Sequence, residues 1–376
     1  MKKALVLFSL ALLLVSCEQK KKVQLIDAAN FNKEVEGKQV SLYTLHNGDV
    51  TMQVTNYGGR VVALWTPDKH RNYEDITLGY DHIDKYLDNP GERYLGAVVG
   101  RCANRISNGT FTLDGVEYQL VKNEGNNTLH GGALGTDKVV WDVVNVNDTA
   151  MTMHLLLPDG QDGFPGNLDI VMTYTLTKDN AFRIDYEATT DKATLCNLSN
   201  HTFFNLQGEG NDILSHQLEI NSKWMIAIDS ALLPTGNFIS VKDTPFDFSK
   251  MHTISQRIYE QHEQLDMGHG YDHHYIISRS TENGVEHCAT LFEPVTGRKV
   301  EVLSDQQGMQ FYCGNFFDGQ TQGKWGAHVY RGAVALETHI FPDAINQENF
   351  AVKPVLYPGE TYRQTCIYKF SVETGK

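Results

Sequence analysis

Apolar and polar residues alternate with a period of two along most of this 376-residue chain, and the alternation breaks at tight turns. Residues 42–45 and 50–54 flank Asn47-Gly48, and residues 110–113 and 116–120 flank Asp114-Gly115. Asn-Gly and Asp-Gly supply the positive φ angles that two-residue hairpin loops need, so both pairs are predicted β-hairpins. In the second, Phe111 and Leu113 share a face with Val116, Tyr118 and Leu120, which describes a sheet with one wet side. The same rhythm predicts strands over 151–157, 169–176, 182–189, 217–221, 275–278, 299–303 and 362–372. Helical periodicity is confined to 254–265 and 81–87. Strand upon strand with long loops, and no linker, repeat or shift in composition, predicts one all-β domain over residues 23–376. Its architecture is a large antiparallel β-sandwich in which two sheets share a core.

The leader stands apart from this pattern. Lys2 and Lys3 precede an almost unbroken apolar run over residues 4–15, too short for a permanent membrane span. Leu14-Val15-Ser16-Cys17 closes the run and resembles a bacterial lipobox. That resemblance implies a signal peptide over 1–16, lipid attachment at Cys17 and a charged tether through residue 22. The body would then sit in the bacterial cell envelope, held to a membrane by its anchor.

Composition narrows the partners. A formal charge of -14 with no basic run argues against nucleic acid. Cys102, Cys196, Cys288, Cys313 and Cys366 are scattered, and no pair has zinc-ligand spacing, so they read as buried thiols, with one disulfide left open by the sequence, and no metal centre is expected. No phosphate-cradling glycine motif is present, and no organic cofactor is expected. Either a monomer or a homodimer is compatible with the sequence.

Candidate chemistry lies in a few polar clusters on this apolar ground. Gly100-Arg101-Cys102-Ala103-Asn104-Arg105-Ile106 places two guanidiniums and an amide in a Gly-led loop, suited to an oxygen-rich neutral ligand. Asn127-Thr128-Leu129-His130-Gly131-Gly132 lets backbone approach a ligand beside an imidazole. His201 sits within Asn200-His201-Thr202-Phe203-Phe204-Asn205-Leu206, and Glu337 within Leu336-Glu337-Thr338. An imidazole and a carboxylate can move protons near neutral pH without a metal. Gly270-Tyr271-Asp272-His273-His274 and Gly308-Met309-Gln310-Phe311-Tyr312 add a carboxylate and an amide. Adjacent strand residues face opposite ways, so His273 and His274 are not both expected beside Asp272. Taken singly, each of these groups is most often a hydrogen-bonded structural residue.

In this order, with Asn56-Tyr57-Gly58-Gly59-Arg60 ahead of them, the clusters resemble the aldose 1-epimerase, or galactose mutarotase, family, from about Val40 to about Phe370. The resemblance implies a β-sandwich with a sugar lying in an open cleft across one sheet. It implies that Asn104 and Arg105 bind sugar hydroxyls, that His130 assists near the ring oxygen, and that His201 is the general acid. It further implies that Asp272 holds hydroxyls away from C1, that Gln310 contacts the sugar, and that Glu337 is the general base. The implied reaction exchanges the α and β anomers of free aldohexoses. His274 stands where Asn or a small residue is common in the family, and His339 replaces a frequent Gln.

Overall fold

A computed structural model describes residues 20–374. The expected signal peptide and Cys17 lie outside the described residues. No helix of the described residues is long and apolar enough to cross a membrane.

Three antiparallel sheets of nine, six and four strands carry the fold. The nine-stranded sheet contains the long strands Ala150–Leu157, Leu168–Leu176, Ala181–Thr190, Arg298–Ser304 and Tyr362–Val372. Leu168–Leu176 shows the half-buried pattern in full, with Leu168, Ile170, Met172, Tyr174 and Leu176 inside. Opposite it lie the four-stranded sheet, through Val54, Val61 and Leu64, and the six-stranded sheet, through Tyr275, Met309, Phe311 and Leu336. All three sheets feed one apolar cluster, which makes them the two layers of the expected sandwich. At about 25 cal/mol per Å² of apolar surface, this shared core is the dominant stabilising contribution.

The second hairpin turns as predicted: Asp114 and Gly115 both have positive φ, 51° and 79°. The first is shifted by one residue, because Asn47 pairs with Val50 and the loop is Gly48-Asp49. Its neighbours set this choice: the Asn47 side chain donates to Leu176 O at 2.7 Å, and Asp49 N–H donates to the Asn180 side chain at 2.9 Å. The helix expected over 254–265 is two short pieces, a 3-10 turn at Ile254–Gln256 and an α-helix at Glu263–Met267. Arg257 leaves helical geometry and donates to the Thr244 and Asp247 carbonyls, and His262 is extended and caps the second piece. The other short helix spans Ile83–Asp88. All five cysteines of the body are buried and free.

Candidate active site

Three neighbouring strands of the six-stranded sheet make the floor. Asp272–Ile277 pairs with Gly308–Tyr312, which pairs with Val334–His339. The register sets His274 opposite Gln310 and Gln310 opposite Glu337. Side chains alternate along a strand, so Asp272, Gln310 and Glu337 rise from one face together with His274 and His339. His273, on the other face, turns inward against Phe246, with ring centroids 4.5 Å apart. The expected separation of the two histidines is therefore observed.

His201 reaches the floor from another segment. Ser199–Asn200 pairs with Val98–Val99, and the His201 backbone exchanges hydrogen bonds with Ala97 O and Gly96 N. This clamp leaves Nε2 of His201 3.4 Å from Oε1 of Glu337. The rings of Phe203 and Tyr94 flank it, at centroid distances of 4.7 and 5.9 Å. His130 stands edge-on to His201, 5.2 Å away. Asn104 has a left-handed backbone, φ 63°, a conformation that Asn tolerates better than most residues. Its N–H donates to Nδ1 of His130 at 3.1 Å, and its Oδ1 accepts from Arg105 N–H at 2.8 Å. The Arg105 guanidinium is held by both oxygens of Glu124, at 2.7 and 2.6 Å. Nε2 of Gln310 donates to Oδ1 of Asp272 at 2.6 Å.

Asn104, Arg105, His130, His201, Asp272, Gln310 and Glu337 thus line one cleft of about 270 Å³. The sequence reading missed Glu92, Tyr94, Glu124, Leu232 and Phe316, which complete its walls. Glu92 and Tyr94 follow Asn89-Pro90-Gly91 in an irregular loop, where no periodicity marks a side chain as inward-facing. Arg101, grouped with Asn104 and Arg105 in the sequence, is not in the cleft. Its guanidinium is buried and donates to the carbonyls of Pro165, Gly166 and Pro158 and to the Thr194 hydroxyl. Arg60 and Asn200 are likewise spent on structure. Arg60 donates to the Arg93, Leu95 and Asp137 carbonyls, and Asn200 to the Tyr174 hydroxyl.

Burial governs the charges. It brings His201 down to about 3 and His130 well below the usual imidazole value. Glu337 is raised well above the usual carboxylate range by burial, with Asp272 and Glu92 adding repulsion and Arg105 opposing. Asp272 is raised by burial against the pull of Arg105 and Gln310. The directions agree: burial favours a neutral His201–Glu337 pair over an ion pair. One proton is still held between them, so the ion pair is a tautomer of the same state.

His130, His201 and Glu337 also converge as three metal-ligand types within 4.8 Å of one another. The chemistry of His130 disfavours that use. Its Nδ1 accepts a backbone N–H, so the neutral ring carries its proton on Nε2 and offers a donor there, not a lone pair.

Similarity to known proteins agrees with this geometry. The aldose 1-epimerase family model matches residues 41–369. Galactose mutarotase of Bos taurus is 39% identical over 336 residues, covering 89% of this chain and 94% of that one. Aldose 1-epimerase of Escherichia coli K12 is 32% identical over 340 residues, covering 90% and 97%. The crystal structure of an aldose epimerase homologue from C. elegans superposes with a TM-score of 0.82 at 28% identity, covering 89% of this chain and all of that one. Matched by the family model over residues 41–369 and by these relatives over about nine-tenths of its length, the chain belongs to the aldose 1-epimerase family, the isomerases that interconvert the α and β anomers of aldoses.

Proposed function

We propose that this chain equilibrates the anomers of free aldohexoses, glucose and galactose among them, with Glu337 as general base and His201 as general acid. The observation that carries the reading is the convergence of these two side chains, 3.4 Å apart, at the floor of a cleft lined by groups able to bind hydroxyls. Ring opening moves two protons. Glu337 takes the one on O1 as His201 gives one to O5; the C1–O5 bond breaks and C1=O1 forms. Rotation about C1–C2 presents the other face of the aldehyde, and the same groups return their protons as the ring closes. Passing the shared proton from Glu337 to His201 makes the working base and acid without a proton from solvent. Each acid–base contribution is worth about 10²–10⁴ in rate. His130, with N–H on Nε2, donates toward the sugar. Asp272, Gln310, Asn104 and Arg105 hold hydroxyls away from C1.

The charge of the cleft disfavours a phosphorylated hexose. Glu92, Glu124 and Asp272 line it beside the His201–Glu337 pair, against the single guanidinium of Arg105, which Glu124 already engages. A glycan-binding role without turnover has no use for a proton-sharing pair buried at the floor. Polarimetry on freshly dissolved α-glucose and α-galactose tests the reading: added protein should speed the approach to the equilibrium rotation of both. An unchanged rate with either sugar removes that sugar from the substrates.

We also propose that the body is tethered to a membrane of the cell envelope by acyl chains on Cys17. The support is Leu14-Val15-Ser16-Cys17 at the end of the apolar leader. Mass spectrometry of the native N-terminus should find diacylglycerol on Cys17; an unmodified terminus beyond Cys17 rejects the anchor.

A further inference from the structure

Two adjacent residues on one turn reach two different side chains of the cleft. The turn runs over residues 123–127. Asn123 N–H and Glu124 N–H both donate to Asn127 O, at 3.1 and 3.2 Å, and Asn127 N–H returns a bond to Glu124 O at 2.8 Å. Asn123 and Glu124 then send their side chains to separate partners, the loop that carries His130 and the guanidinium of Arg105.

The His130 loop needs holding. His130 has a left-handed backbone, φ 50°, and Gly131 and Gly132 continue the loop at 90° and 102°. A non-glycine residue stays in that region where its surroundings over-determine it. The Asn123 amide bonds the loop on both sides of the imidazole. Its Oδ1 accepts from Leu129 N–H at 2.7 Å, and its Nδ2 donates to Leu129 O at 2.9 Å and to Gly132 O at 3.0 Å. The hydroxyl oxygen of Tyr94, whose ring packs on His130 at 4.6 Å, lies 3.3 Å from the same nitrogen. Arg93 grips only the far end of the loop, through Gly132 O and Ala133 O.

The other arm is a fork. Glu124 takes Nε and Nη2 of Arg105, at 2.7 and 2.6 Å. Two parallel bonds fix the plane of a guanidinium as well as its place. Gripped along that edge, Arg105 keeps Nη1, the corner outside the fork, for a ligand in the cleft it borders.

We propose that Asn123 and Glu124 are positioning residues with divided labour: Asn123 sets His130 for the proton-transfer step, and Glu124 aims Nη1 of Arg105 at a sugar hydroxyl. The proposal rests on the reading of His130 as a donor near the ring oxygen and of Arg105 as a hydroxyl contact. The two arms act on different constants. The charge on the ring oxygen changes as C1–O5 breaks, so a displaced His130 is felt in the transition state and lowers kcat. A hydroxyl away from C1 is held alike before and during the reaction, so a displaced Arg105 is felt in KM.

The test is saturation kinetics with an anomer-specific coupled assay, with thermal melts on the same preparations. Asn123→Leu is close in size and removes every polar atom. It should lower kcat about ten- to hundred-fold, the scale of a displaced catalytic group, at nearly constant KM. Asn123→Asp keeps the acceptor for Leu129 N–H and loses both donors, so it should lower kcat in the same direction even where Asn123→Leu fails to fold. Glu124→Gln has one acceptor where the carboxylate has two, which breaks the fork. It should raise KM about five- to ten-fold, the scale of one hydrogen bond, with kcat nearly unchanged. The Asn123 effect should vanish in a His130→Asn background, and the Glu124 effect in an Arg105→Met background. If His130→Asn leaves kcat unchanged and Arg105→Met leaves KM unchanged, the reading of those two groups itself fails. If both controls respond while the Asn123 and Glu124 variants move only the melting temperature, or nothing, the turn is structural and the proposal is overturned. A Glu124→Gln effect that persists in Arg105→Met overturns it too, because Glu124 would then touch the sugar itself. So does a pair of variants that both act on kcat or both on KM.

Discussion

The two faces of the six-stranded sheet are built from the same strands and do opposite work. On the core face, Tyr275, Met309, Phe311 and Leu336 are buried in the cluster that joins the sheets. On the cleft face, Gln310, Glu337, His274 and His339 are nearly as buried, yet each keeps a polar atom without a partner, and so does His201 above them. The core face has its own exceptions in His273 and Thr338, whose Nε2 and Oγ1 are unpartnered. Buried polar atoms are ordinarily satisfied, and leaving one unpaired costs about 1–3 kcal/mol. Gln310, Glu337 and His201 border the cleft, and their unpaired atoms are stability withheld for a ligand that would complete the bonds. The period of two lets neighbouring residues, Leu336 and Glu337, take these roles side by side.

The sharpest way to break the comparison is to change one residue on each face. Glu337→Gln keeps shape and removes the basic oxygen, so turnover should fall by about 10²–10⁴. Its effect on stability should be nil or favourable at neutral pH. The folded pKa of Glu337 is raised, so its stabilising contribution is present below the unfolded carboxylate value and is lost as pH rises through the folded one. Thermal melts and coupled kinetics on one preparation would show both effects. Turnover near that of the wild type would reject Glu337 as the base.

Leu336→Ala is the counterpart on the core face. Leu336 is fully buried, and truncation should cost about 2–5 kcal/mol of unfolding free energy. Turnover per folded molecule should stay within the same order of magnitude. Denaturant titration paired with active-site-normalised kinetics separates the two. A collapse of turnover in folded Leu336→Ala would mean that the faces are coupled through the backbone and that the division of labour is wrong.

The same period of two explains what was legible in the sequence. The strands were readable because a half-buried strand writes its burial into alternate letters, as in Leu168–Leu176. Val334–His339 is buried on both faces and breaks that rule, yet Glu337 stood out there because an ionisable group in an apolar run needs a reason. Arg101 misled for the opposite reason: its sequence neighbours Asn104 and Arg105 line the cleft, but the loop turns it into carbonyls that no local pattern reveals. Tyr94 and Phe316 were silent because loop aromatics acquire a role only from what the fold sets beside them. The break in the helix over 254–265 was equally hidden, since the Thr244 and Asp247 carbonyls that draw Arg257 away are distant in sequence.

The smallest expected effect is an absence of change, and it bears on how the cleft face holds its proton. An ordinary imidazole titrates near ~6.5, so a His201 that worked as a free imidazolium would lose activity as pH rose past that value. Burial instead brings His201 down to about 3 and moves Glu337 upward. Between those limits the pair keeps one proton, whichever partner carries it. A second proton arrives only as pH falls toward the His201 value, and the one it holds is lost only as pH rises through the Glu337 value. The profile of kcat/KM, which reports the free enzyme, should therefore show no His201 titration in the ordinary imidazole range. It should bend on the acid side only well below it. A single bend near ~6.5, absent in His201→Asn, would show that His201 titrates as an exposed imidazole. The neutral pair would then be wrong, and the unpartnered atoms around it would need another purpose.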